Sequence, residues 1–131
     1  AWAAEAARLT GRPCAWLICH SERALVALAA AQAEDAKVCG LVLLSGPGRS
    51  MGTALREQLA TLPEPLKSQA IFTLGELEAR RTVAEPPPAL AALFRPSIQP
   101  FLISLLAQDP GELAKGFDGP IFIGQGATDI Q

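Results

Sequence analysis

Ser21 is the residue whose setting points most directly to chemistry. It stands just beyond an unbroken apolar run, residues 14–19 (CAWLIC), and just ahead of an alanine- and leucine-rich segment, residues 22–33. A hydroxyl in a tight turn between a buried strand and a helix is lifted out at the carboxyl edge of a sheet. There the free N–H groups and positive dipole end of the helix favour a developing oxyanion, with the Glu22 N–H as the natural donor. The same serine also suits an ordinary helix cap, and the Glu22 carboxylate an electrostatic one. Asp129 follows an apolar run at 121–124 and, taken alone, is a turn former. Cys14, Cys19, His20 and Cys39 are metal-ligating types, but Cys14 and Cys19 sit five apart on a strand and face opposite ways, so no metal site is expected. The 46–50 loop (GPGRS) has the glycine content of a phosphate cradle without the lysine or spacing of a P-loop, and no cofactor is implied.

The elements that would position these residues are legible in the pattern. Residues 2–9 have helical composition, and Thr10-Gly11-Arg12-Pro13 supplies a stop, with glycine suited to a left-handed cap and proline unable to continue. Residues 14–19 and 38–44 (VCGLVLL) are short apolar runs of the kind found where both faces of a parallel sheet are covered. With the helix between them they make a βαβ unit with a right-handed crossover. The next strand candidate, 121–124 after Gly119-Pro120, comes about 70 residues later. The interval is helical: Leu55, Leu59 and Leu62, then Leu66, Ala70 and Leu74, then Phe94, Ile98, Phe101, Leu102 and Leu105 fall at helical spacing. Prolines cut it into short helices.

Composition bounds the possibilities. Of 131 residues half are hydrophobic and 18% charged, with a net charge of −2. No basic block offers a footprint for nucleic acid. The uninterrupted apolar runs fall short of the roughly 20 residues that a bilayer span needs. Residues 1–9 carry Glu5 and Arg8, unlike a signal peptide. Three cysteines, an odd and loosely spaced set, make a disulfide framework unexpected and a reducing, cytoplasmic compartment the expectation. The first residue is not methionine and the chain stops soon after its last apolar run, so both ends read as cuts.

Residues 18–24 (ICHSERA) resemble the nucleophile elbow of the α/β-hydrolases, Gly-x-Ser-x-Gly. The resemblance extends to the following helix at 24–31, to the strand and exit loop at 40–48 (GLVLLSGPG), and to the acid-bearing strand and loop at 119–129 (GPIFIGQGATD). It implies Ser21 as nucleophile, Asp129 as the acid and the Glu22 N–H as oxyanion donor, without metal or cofactor. The implied fold is α/β: part of an α/β-hydrolase, with a three-stranded parallel sheet remnant and flanking helices at 1–50 and 116–131, and a helical lid at 51–115. The implied reaction is serine-dependent hydrolysis of a small hydrophobic ester or acyl ligand, as in esterases and lipases.

Two departures matter. Cys19 and Arg23 replace both elbow glycines, where a long side chain must find an exit or deform the turn. The general base of the family is a histidine after one further strand, whereas the sole histidine here, His20, should project away from the Ser21 Oγ. The expectation is therefore a hydrolase truncated before its base and inactive as this chain alone. The alternative is a non-catalytic binding or assembly module, whose two outer strands carry unpaired backbone groups that favour a homodimer or strand-exchanged oligomer.

Overall fold

The computed structural model describes residues 2–128. In chain order they form α1 (Trp2–Thr10), β1 (Ala15–His20), α2 (Glu22–Ala31), β2 (Val38–Leu44), α3 (Met51–Ala60) and α4 (Leu66–Glu78). These are followed by α5 (Ala91–Phe94), α6 (Gln99–Leu106), α7 (Pro110–Lys115) and β3 (Ile121–Gly124), with single 3-10 turns at Pro88–Leu90 and Pro96–Ile98. They fall into two compact units, one of the described residues up to 48 and from 110 onward, the other of residues 49–109. The sheet unit therefore takes in α7, which the sequence pattern had grouped with the helical insertion. The reason is packing: Leu113 and Ala114 of α7 join the cluster that α2 builds on the sheet.

The three strands are parallel in the order β1-β2-β3. Helix α1 ends as its residues lead one to expect. Gly11 is left-handed at φ 64°, its N–H donates to the Arg8 carbonyl at 3.3 Å, and the Arg12 N–H reaches the Ala7 carbonyl at 2.9 Å, a Schellman closure. Register aligns Leu17, Leu41 and Ile121, and next to them Cys19, Leu43 and Ile123, on one face of the sheet. That face packs against Ala24, Ala27 and Leu28 of α2, and Leu41 and Leu43 are buried beneath them. The opposite face carries Trp16, Ile18 and Phe122, which are 54, 70 and 61% exposed. Such apolar exposure is unusual for a parallel sheet, whose faces are normally both covered.

The cysteines correct the sequence reading. Cys14 and Cys39 are joined in a disulfide, with their Cα atoms 5.2 Å apart, and only Cys19 is a free thiol. Composition and spacing gave no sign of this because the two residues meet only through the pairing of β1 with β2. The bond sits where the register slips: Ala15 pairs with Val38 but Trp16 with Gly40, leaving Cys39 as the extra residue of a bulge. The Trp16 ring lies over Gly40 so closely that a Cβ there would overlap it.

The helical unit has its own core of Leu59, Ala70, Leu74, Leu77, Phe94 and Leu102. Phe101, expected in that stripe, is instead 47% exposed. Residues Pro88–Leu106 are long and apolar enough to cross a membrane by length and composition, although no uninterrupted apolar run within them reaches that length. In the fold this stretch is broken, because Arg95 is extended (φ −52°, ψ 142°) ahead of Pro96. Fully buried Gln99 satisfies the main chain around the break. Its Nε2 donates to the carbonyls of Val83 (2.8 Å) and Phe94 (2.7 Å), and its Oε1 accepts from the Val83 N–H at 2.8 Å. Ion pairs on the unit's surface include Arg56 with Glu78. The carboxyl of Glu64 is held below the ordinary range by the Ser68 hydroxyl first and Lys67 second.

The disulfide closes a loop of sequence separation 25, for which chain-entropy reasoning gives ~3 kcal/mol of stabilisation. Replacing both Cys14 and Cys39 with serine is expected to lower unfolding free energy by about that amount in urea titrations. The same loss should follow from adding a reductant to the parent chain, and no further loss from adding it to the double variant.

Candidate functional site

Ser21 occupies the single position between β1 and α2, and its backbone carries the whole reversal. Its N–H donates to the Leu44 carbonyl at 2.9 Å, adding one rung to the β1–β2 ladder, and Glu22 is already helical. The chain manages this in one residue by placing Ser21 at φ 56°, ψ −134°. A non-glycine residue held there costs about 1–3 kcal/mol and persists only where its surroundings over-determine it. The plain helix-cap alternative is not what is observed, since the Ser21 side chain makes no capping hydrogen bond. Ser21 as a whole is half-buried, at the carboxyl edge of the sheet.

Packing around the turn fixes it. The Ala24 N–H donates to the Ser21 carbonyl at 2.9 Å. Across from it Gly46, in the loop leaving β2, approaches so closely that an added Cβ would come within 2.7 Å of the Ala24 Cβ and 4.0 Å of the Ser21 carbonyl oxygen. Small residues at 24 and 46 are therefore what allow the β2 exit loop to lie against the start of α2. Sequence reasoning treated 46–50 as a connection only, although the Gly46-Pro47-Gly48 composition was the available signal.

The other expected site residues are placed as follows. Glu22 is the first residue of α2, so its N–H is among those with no intrahelical acceptor, and it lies next to Ser21. Arg23 is exposed and Cys19 half-buried on the α2 side of the sheet, so the two residues that flank the turn are accommodated without deforming it. His20 is exposed and alternates with Cys19, which puts it on the face opposite α2. Asp129 lies outside the described residues. Among the described residues no group of three His, Cys, Asp or Glu side chains is placed to hold a metal ion.

Beside the turn, within the sheet unit, is a hollow of about 200 Å³ lined by Ala24, Leu25 and Leu28 of α2, Leu43, Ile123, the Gly46-Pro47-Gly48 loop, and Pro110, Gly111 and Ala114 of α7. No charged side chain lines it. Comparison with protein-family models, with curated proteins and with solved structures gives no match for this chain.

The backbone of Ser21 makes a direct prediction. Glycine relieves the positive-φ cost whereas alanine keeps it. Ser21→Gly is therefore expected to be more stable than Ser21→Ala by about 1 kcal/mol in urea unfolding, whereas at an unstrained position glycine would be the weaker of the two. Equal midpoints, or a less stable glycine variant, would show that the turn is not strained.

Proposed function

We propose that these residues belong to a serine hydrolase of the α/β-hydrolase type, whose reaction is hydrolysis of a carboxylic ester through Ser21. The observation that carries this reading is the Ser21 backbone, a strained strand-to-helix reversal after a parallel strand, which is the arrangement that exposes a nucleophile at a sheet edge. In this reading the Ser21 Oγ attacks the ester carbonyl carbon and its proton passes to a general base. The negative charge on the carbonyl oxygen is met by the Glu22 N–H at the start of α2. Collapse of the tetrahedral intermediate breaks the C–O bond to the leaving alcohol, which takes up the proton, and water then releases the acid from Ser21. Asp129 is the acid partner of the base, and residues 49–109 are the lid insertion.

These 131 residues do not contain the base, since His20 is the sole histidine and stands on the opposite face of the sheet. The expected behaviour is no turnover of a nitrophenyl ester by the purified chain. Added imidazole, standing in for the base, should produce fluorophosphonate labelling of Ser21 that Ser21→Ala abolishes. Absence of imidazole-dependent labelling at Ser21, read by peptide mass, would overturn the nucleophile assignment. Robust turnover without imidazole would overturn the incomplete-triad reading.

A second reading, an assembly module that keeps the fold for its surfaces, is favoured by one observation. The apolar residues Trp16, Ile18 and Phe122 are exposed on one sheet face, and no described strand pairs with the outer edge of β1. An unpaired strand edge promotes pairing between chains. Light scattering is expected to report a dimer or larger oligomer in this case, and a monodisperse monomer across the accessible concentration range would count decisively against it.

A further inference from the structure

We infer that the open groove between α4 and the segment 83–88 binds an organic ammonium ion carried on an aryl-alkyl body. The groove lies within the helical unit and has a volume of about 560 Å³, a size suited to a small molecule. It is independent of the reading of Ser21. One wall is a stripe of α4, since Ser68, Gln69, Phe72 and Thr73 recur at one-turn spacing and share a face. Phe72 is 65% exposed on that stripe, whereas Ala70 and Leu74 beside it are buried in the core of the unit. The facing wall is Val83 and the three prolines at 86–88.

The polar groups of the groove are poor in free donors. The Ser68 hydroxyl already donates to the Glu64 carboxylate at 2.6 Å, and the Thr73 hydroxyl to the Gln69 carbonyl at 2.9 Å. A hydroxyl has one proton to give, so each of these oxygens can only accept a further bond. Pro86, Pro87 and Pro88 have no N–H, and the Val83 N–H is taken by the Gln99 Oε1 at 2.8 Å.

Charge is one-sided as well. In the helical unit Glu57, Glu64, Glu76 and Glu78 each pair with an Arg or Lys. Glu85 has no such pair among the described residues, and it carries the sole charge among the described residues that line the groove. A site of acceptors with one unneutralised carboxylate selects a cation that donates hydrogen bonds and repels an anion. The Phe72 ring adds attraction for an ammonium group and a stacking surface for an aryl ring, and the prolines and Val83 supply hydrocarbon contact. The facing wall is also fixed in advance. Gln99 holds both main-chain groups of Val83 at 2.8 Å, and consecutive prolines have little backbone freedom to lose when a ligand enters.

The test titrates the full chain with 2-phenylethylammonium while the Phe72 ring and Val83 methyl signals are followed by NMR. The neutral and anionic counterparts are 2-phenylethanol and 3-phenylpropionate, and n-hexylammonium is the aliphatic one. Phenylethylammonium is expected to shift both residues saturably. The alcohol should bind about fivefold more weakly, the scale of a solvent-exposed charge pair, and phenylpropionate not at all. Added salt should narrow the gap between amine and alcohol. Glu85→Gln, at an exposed position, is expected to bring the amine down to the affinity of the alcohol. Phe72→Ala, also at an exposed position, should weaken the amine by about threefold or more, read at Val83.

No saturable shift with the amine, equal binding of the alcohol or the propionate, or undiminished affinity in Glu85→Gln would overturn the site. Hexylammonium that binds as tightly as phenylethylammonium, or undiminished affinity in Phe72→Ala, would overturn the aryl assignment.

Discussion

The hydrogen bond from the Ser21 N–H to the Leu44 carbonyl is the constraint on which the candidate site depends. It prolongs the β1–β2 ladder by one residue beyond the strand, so the chain can turn only after Ser21 has been fixed against β2. Helix α2 begins at the next residue, and the whole change of direction falls on one pair of torsion angles. Strand β2 ends in a related way. The Ser45 N–H donates to the Gly124 carbonyl at 2.8 Å and Ser45 also has positive φ, 46°. Two adjacent strands thus leave the sheet through serines bonded to their neighbour, and the loop from the second, through Gly46, closes over the helix that starts from the first.

The helical unit solves a different problem. Its sequence between 88 and 106 is almost free of charge, yet proline prevents one continuous helix, and each interruption releases main-chain groups that need partners. Gln99 meets this need at the Arg95 break by bonding to both main-chain groups of Val83 and to the Phe94 carbonyl while itself fully buried. A buried amide with three short bonds is specific in a way that leucine contacts are not, because loss of either partner leaves a polar group in the dry interior. Within α6 Phe101 is exposed whereas Leu102 and Leu105 are buried.

The strands at 38–44 and 121–124 and the position of Ser21 were legible because their signals are local. An unbroken apolar run bounded by glycine and proline identifies a buried strand, and a serine between such a run and an alanine-rich segment identifies the turn. Features that arise from two distant segments meeting were not legible. The Cys14–Cys39 bond and the seating of Trp16 over Gly40 both require the β1–β2 register, which slips by one residue at the bulge. The hollow beside Ser21 needs α7 brought against α2. The exposed face with Trp16 and Phe122 ran against expectation for a further reason: apolar runs report that a strand is suited to two covered faces, not that both covers lie within these residues.

The bulge at Cys39 has a chemical consequence as well as a geometric one. Three cysteines allow three pairings, and a disulfide requires Cα atoms within roughly 7 Å. Cys14 and Cys19 are five residues apart along an extended segment, a span of about 16 Å. Cys19 is aligned with Leu43, which puts it about 13 Å along the strand direction from Cys39 at a rise of about 3.3 Å per residue. Once the two strands have paired, only the Cys14–Cys39 isomer is within reach. The parallel sheet thereby acts as a filter on thiol chemistry, excluding the two misbridged isomers by distance alone and keeping the third sulfur as a thiol beneath α2.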